Sequence, residues 1–175
     1  MKGDARIVQP RIEVLQVETA ARLDDVRALF REYAGTLTVD LCFQRFDEEL
    51  AALPGEYAAP AGALLLALVD GRPAGCGALR SLRDTDHVNA CEMKRLYVPR
   101  AFRSLGLGRL IAQRLMDLGA QAGYSCMLLD TLDEMEAARG LYESLGFEEI
   151  PPYYFNPIPG AHYLKAELDA LGSRW

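Results

Sequence analysis

The sequence has no long apolar stretch. Its longest hydrophobic run, ALLLALV at Ala63 to Val69, falls far short of the roughly 20 residues that span a bilayer. The opening residues, MKGDARIVQP, lack the apolar centre of a secretion signal and read as a loose leader. No membrane association is therefore expected, and a reducing cytoplasm is the default setting. Basic charge is also short: 19 Lys and Arg stand against 25 Asp and Glu, a net charge of −6. Nucleic-acid binding draws most of its affinity from a basic surface, so nucleic acid is not an expected partner. Metal-binding patterns are missing too. Cys42, Cys76, Cys91 and Cys126 form no CxxC pair, and neither His87 nor His162 has a second ligand at metal spacing. The four cysteines read as buried, reduced thiols, with no metal implied and no Cys–His pair for covalent catalysis. There is no repeat and no linker, and 175 residues suffice for one domain with a real core.

What is present is a series of alternating elements. RIEVLQVET, Arg11 to Thr19, reads as a first strand. Thr19 is placed to cap a helix on which Leu23, Val26, Phe30 and Tyr33 recur at helical spacing, with Gly35 near its end. A short helix is predicted over Phe46 to Leu53, stopped by Pro54-Gly55. Asp70-Gly71 marks a hairpin turn between two apolar runs, and ACEMKRLYVP is a strand halted by Pro99. Leu107, Leu110, Ile111, Leu115 and Leu118 make one helical stripe, and CMLLDT is a buried strand. Asp133 and Glu136 read as a variant capping box for a helix running to Leu145, closed by Gly146. Phe147 to Ile150 and Ala161 to Leu168 complete the strands. The order is βααβββαβαββ, an α/β (α+β) domain with a mixed sheet.

One stretch calls for a ligand. Between the strand ending at Pro99 and the next helix lies RSLGLG, Arg103 to Gly108. Glycine lets the backbone approach something bulky, and a helix start offers unpaired N–H groups with partial positive charge. Together they make a seat for an anion, such as a phosphate. A dinucleotide-binding reading lacks its third glycine, since Ile111 stands there, and a P-loop reading lacks the following Gly-Lys-Ser/Thr. The plain alternative is a glycine-eased turn without a ligand.

RSLGLG resembles the Arg/Gln-x-x-Gly-x-Gly/Ala phosphate signature of the GNAT superfamily of N-acetyltransferases. LYESLGF, Leu141 to Phe147, resembles that family's later helix-to-strand motif. The two are separated by a helix and a strand, as in the family, and the resemblance to a bacterial-type member covers about residues 11–168 of a single domain spanning 1–175. It implies a GNAT-type, mostly antiparallel central sheet flanked by helices, and acetyl-CoA as co-substrate. The pyrophosphate would rest on Arg103, Ser104, Leu105, Gly106, Leu107, Gly108 and Arg109. On the preceding strand, Val98 would pair with pantetheine and the Leu96 N–H would face the thioester oxygen, where charge grows during attack.

The resemblance also implies roles in transfer to an amine. Tyr142 would be the general acid that protonates the departing thiolate; the plain alternative is a core tyrosine. Glu92, six residues before Val98, matches the glutamate base of the histone-acetylating branch. Its carboxyl would be raised toward neutrality in a partly apolar cleft, or it would only orient the acceptor while water takes the proton. Its alternative is a surface glutamate paired with Lys94 or Arg83. Many relatives carry an asparagine six residues before the motif tyrosine; Glu136 stands there, so that role is not transferred. The loop PPYYFNPIPG would border the acceptor, with Tyr153 and Tyr154 offering aromatic faces to an amine. Phe30, Tyr33 and Phe43 are further candidates for that wall. The expected partner is a small-molecule amine. A protein acceptor and a non-catalytic acyl-CoA sensor are the rival readings. Relatives are often dimers, and the last strand or the LGSRW tail offers a contact.

Overall fold

A computed structural model describes residues 7–168, without the Phe43 side chain. Eleven regular helices and strands follow the expected order among the described residues. They are β1 (Ile12–Gln16), α1 (Ala20–Thr36), α2 (Phe46–Ala52), β2 (Ala63–Val69), β3 (Arg72–Leu82), β4 (Ala90–Tyr97), α3 (Leu107–Gln121), β5 (Cys126–Leu132), α4 (Glu136–Ser144), β6 (Glu148–Ile150) and β7 (Ala161–Glu167). Short 3₁₀ turns at Leu41–Gln44, Gly55–Tyr57 and Arg100–Phe102 link some of them.

The strands form one seven-stranded sheet in the order β1-β2-β3-β4-β5-β7-β6. All neighbours run antiparallel except β4 and β5. A parallel pair needs a crossover, which α3 supplies. The β2–β3 hairpin turns on Asp70 and Gly71, both at positive φ, the geometry that suits the right-handed twist of the strands. β2 is buried along its whole length because both faces of the sheet are covered. On one face Leu64, Leu66 and Leu68 meet Val26, Leu29 and Phe30 of α1 and Leu50 of α2. On the other, Leu65, Met127 and Leu129 meet Ile111 and Leu115 of α3 and Tyr142 of α4.

Local details depart from the sequence reading. Thr19 occupies the cap position of α1, but its side chain caps nothing; its carbonyl accepts from Leu23 N at 3.0 Å. The Asp133–Glu136 capping box does not form, because Asp133 is drawn to the His162 ring and the residue before α4 is Met135. Leu110 is exposed, and the buried face of α3 is Leu107, Ile111, Ala112, Leu115, Met116 and Gly119. The last strand is paired by β5 along its length and by the short β6 over Tyr163 to Lys165, so its middle offers no free edge. The LGSRW tail and residues 1–6 of the leader lie outside the described residues.

The seat of α3 fixes where its N-terminus points. The helix lies directly on β3 at Gly77, where a Cβ would come within 2.7 Å of Ile111 Cγ2 and 2.9 Å of Leu115 Cδ1. Overpacking this contact lifts the helix. Gly77→Val is expected to destabilise the fold by about 2 kcal/mol and to lower Tm by roughly 4–8 °C in a thermal melt; an unchanged Tm contradicts this seat.

Candidate active site

β4 and β5 pair only over Ala90–Glu92 and Cys126–Leu128. Beyond that point β4 stays with β3 as far as Tyr97, and β5 stays with β7 as far as Leu132. The sheet therefore forks. A register shift between Cys76 and Ala78 sets a bulge in β4, with Arg95 at φ +60°. The open edge of β4 beyond Glu92 has no strand beside it, so its backbone faces the gap.

A narrow cavity fills the fork. Met93, Lys94, Arg95 and Leu96 of β4 face Asp130, Thr131 and Leu132 of β5 across it. Tyr142 and Ala138 of α4 close one side, and Tyr33 and Gln44 close the other. The space, about 90 Å³, holds a handful of waters or one small group.

At the end of β4 the chain turns into α3 through the glycine loop. Ser104 and Gly106 both sit at positive φ, +71° and +74°. The first helical bond is Leu110 N to Gly106 O at 3.1 Å. The six successive N–H groups of Ser104 to Arg109 therefore donate to no partner among the described residues. The segment is largely solvent-exposed, which makes this arrangement tolerable in the free protein. Gly106 is required by its φ. Gly108 is not required by packing, since a Cβ there would meet only Leu141 at an ordinary 3.6 Å. Such a row of N–H groups, at the start of a fifteen-residue helix, fits an anion the size of a phosphate. Arg103 Nε donates to the Val98 carbonyl at 3.1 Å and Arg109 Nη2 to Ser144 Oγ at 2.7 Å. Both arginines thus flank the loop, and a phosphate contact from Arg103 requires its bond to Val98 to open.

Tyr142 is 7 % exposed and packs edge-on against Phe147 at 5.7 Å. Its hydroxyl has no hydrogen-bond partner among the described residues, and its ring lines the cavity. Burial, with the nearby Tyr33 and Asp130, pushes its phenol well above the ordinary value, so it carries its proton at neutral pH.

The opposite wall is polar. Glu92, 1 % exposed, accepts from Arg80 Nε and from the Tyr153 hydroxyl, each at 2.7 Å, with Lys94 Nζ 3.8 Å away. Arg80 also reaches Glu56 at 2.8 Å. Lys94 donates to Gln44 Oε1 at 3.2 Å. Gln44 Nε2 reaches the Tyr154 hydroxyl at 3.4 Å, and that hydroxyl donates to Asp130 Oδ2 at 2.7 Å. One network thus joins the two arms of the fork. Outward of it, between α2 and the loop at 151–160, the space widens into an open groove lined by Glu48, Arg80, Lys94 and Phe155.

Several expectations change here. The carboxyl of Glu92 is not raised toward neutrality. Burial does push it up, but the charges of Lys94 and Arg80 and the Tyr153 hydroxyl outweigh that and hold it below the ordinary range. Of its two expected partners, Lys94 lies 3.8 Å away, while Arg83 is replaced by Arg80, directly opposite on β3. Phe30 does not reach the acceptor wall: it is fully buried against Tyr57 in the core beneath α1. Tyr33 does line the cavity, tilted on Tyr97 at 5.5 Å. Tyr153 and Tyr154 line the open groove rather than the narrow cavity, and their hydroxyls rather than their ring faces make the contacts there, because their rings pack on each other and on Tyr163 at 5.3–5.7 Å. The Phe43 side chain lies outside the described residues. Lys94, Gln44 and Asp130 were missed as lining residues. For Asp130 a signal existed, a lone carboxylate near the end of an otherwise apolar strand run; for Gln44 there was none.

Known proteins are similar to this chain in sequence and in fold. The sequence profile of the acetyltransferase (GNAT) family matches residues 23–147. An uncharacterised N-acetyltransferase of Schizosaccharomyces pombe is 39% identical over 158 residues, covering 90% of this chain and 95% of that one. The N-acetylaspartate synthetase of Danio rerio is 29% identical over 113 residues, 64% of this chain and 39% of that protein. Among solved structures, a candidate acetyltransferase from Salmonella typhimurium, solved with its cofactor acetyl-CoA, superposes with a TM-score of 0.71 at 20% identity, covering 90% of this chain and 94% of the other.

Glu92 ties down two side chains on the polar wall, Arg80 and Tyr153. Its folded pKa lies below the unfolded value of about 4.3, so its contribution is complete above that pH and fades as pH falls through the folded value. Glu92→Gln is expected to cost about 3 kcal/mol at pH 7, and its deficit relative to the parent protein should shrink in urea titrations run below about pH 4. A deficit that grows on acidification contradicts this role.

Proposed function

The chain belongs to the acetyltransferase (GNAT) family, and on that premise we propose that it moves an acetyl group from acetyl-CoA to the primary amine of a small molecule by direct attack. It is an acetyl-CoA-dependent acyltransferase. The observation that carries the reading is the row of unpaired N–H groups from Ser104 to Arg109 at the exit of the forked sheet. There the pyrophosphate would sit, with Arg103 and Arg109 adding charge. The cofactor arm would take the place of a strand beside β4, pairing at Leu96 and Val98, and would bring its thioester into the fork.

Acetyl-CoA supplies an activated acyl group; the chain supplies position and protons. The Leu96 N–H would donate to the thioester oxygen as negative charge develops there. Tyr142, buried and protonated, would give its proton to the sulfur as it leaves. Glu92 would order Arg80, Lys94 and Tyr153 around the incoming amine rather than take its proton, because its acceptor sites are occupied and its charged form is favoured. The ammonium proton would pass to water before attack, and the proton left on nitrogen after attack would return to the Tyr142 phenolate. The narrowness of the cavity supports a small acceptor. Cys42 is exposed, against the expectation of four buried thiols, while the buried thiols Cys76 and Cys91, pushed up by burial and so unreactive, suit a reducing cytoplasm.

Calorimetric titration tests the cofactor seat: acetyl-CoA should bind saturably, NAD should not, and Gly108→Trp should weaken acetyl-CoA binding about 100-fold while keeping its fold. Absence of acetyl-CoA binding by protein freed of retained CoA refutes the reading. Tyr142→Phe should reduce kcat by about 10²-fold or more with acetyl-CoA affinity unchanged; full turnover removes the acid role.

A further inference from the structure

The polar wall contains more charge than its own contacts consume. Lys94 has a side chain only 8% exposed. Its ammonium has three donors and makes one hydrogen bond, to Gln44 at 3.2 Å. Glu92 does not absorb the remainder, because it lies 3.8 Å from Lys94 Nζ and is served by Arg80 and Tyr153 at 2.7 Å each. Burial lowers the Lys94 pKa, while the charges of Glu92 and Asp130 counter it and those of Arg95 and Arg80 reinforce it. Across the fork, Asp130 holds the Tyr154 hydroxyl at 2.7 Å and the Asn156 amide at 3.5 Å, both on Oδ2. Its Oδ1 has no hydrogen-bond partner among the described residues. No ion pair joins Lys94 to Asp130; Gln44 and Tyr154 lie between them. Both residues line the same cavity as Tyr142.

A cation and an anion held apart on opposite walls of one narrow cavity match a ligand that carries both charges. We propose that the acceptor is a free amino acid, its carboxylate seated on Lys94 and its amino group on Asp130, which holds the ammonium until it gives its proton to water and attacks as the neutral amine. The Gln44–Tyr154 bridge is the spacer that keeps the two protein charges from neutralising each other. An amine without a carboxylate leaves Lys94 buried with its donors unspent, an expensive state in a site of low polarity. This assignment rests on the transferase reading and specifies its substrate class.

The test compares free L-amino acids with their C-terminal amides as acceptors, by thiol release from acetyl-CoA. For the preferred side chain, kcat/KM should be at least about 30-fold higher for the acid. Lys94→Met should bring that ratio close to one, and Lys94→Arg should retain part of it, with folding checked by thermal melts. Amides or simple amines used as well as the acids, or an unchanged preference in Lys94→Met, overturn the proposal. If neither series releases thiol while acetyl-CoA still binds, the transferase reading falls instead. Titration of the CoA-loaded protein with the same two series then decides the clamp: tighter binding of the acids supports it, and equal or absent binding overturns it.

Discussion

The parting of β4 from β5 after Glu92 and Leu128 is the constraint on which the rest of the molecule depends. A sheet that stops pairing in its middle leaves backbone groups facing a gap, which is costly unless something else meets them. Here each arm is secured on its outer side, β4 by β3 and β5 by β7. Arg95 sits at positive φ in the bulge, a conformation that costs a bulky residue about 1–3 kcal/mol. It is held by a two-point ion pair with Glu49 of α2 at 2.9 and 3.3 Å and by the Phe46 ring 5.3 Å away. α2, which lines the open groove, therefore also stabilises the bulge next to the opening.

The fork has two unlike walls because the sheet has two unlike faces. The face under α3 and α4 is apolar, and Tyr142 emerges from it with its phenol kept protonated by burial. The face toward α1 and α2 carries Glu92 and Lys94 on β4 and Asp130 on β5, linked by side chains from the Leu41–Gln44 turn and the loop at 151–160. At Glu92 the balance can be judged: burial favours the neutral acid, yet two nearby cations and a hydroxyl win, and the group remains a carboxylate. That outcome makes it a fixed point of the wall. The hydroxyls of Tyr153 and Tyr154 serve the two carboxylates of the wall, one each.

Much of this was legible in the residues. The element order and the glycine loop follow from periodicity and turn chemistry, which are local. What was not legible depends on which elements meet. Phe30 shares a helical stripe with Tyr33, but spacing does not say that one end of the stripe meets the core and the other the cavity. Arg80 rather than Arg83 serves Glu92 because of strand register, which a bulge between Cys76 and Ala78 sets. Asp133 would be a reasonable helix cap if His162, 29 residues later, were not brought beside it by the β5–β7 pairing. Gln44 lies in a short 3₁₀ turn with no periodic signal, and its importance comes only from lying between Lys94 and Tyr154.

Acetyl-CoA would take the place of a strand beside β4 and seat its phosphates on the loop that follows. Amide hydrogen exchange, measured with and without acetyl-CoA, addresses it directly. Two segments should become protected together, Lys94 to Val98 on the open arm of β4 and Ser104 to Arg109 at the start of α3, while the distant β1–β2 edge stays unchanged. Protection of only one of the two segments, or binding that protects neither, would contradict this placement of the cofactor.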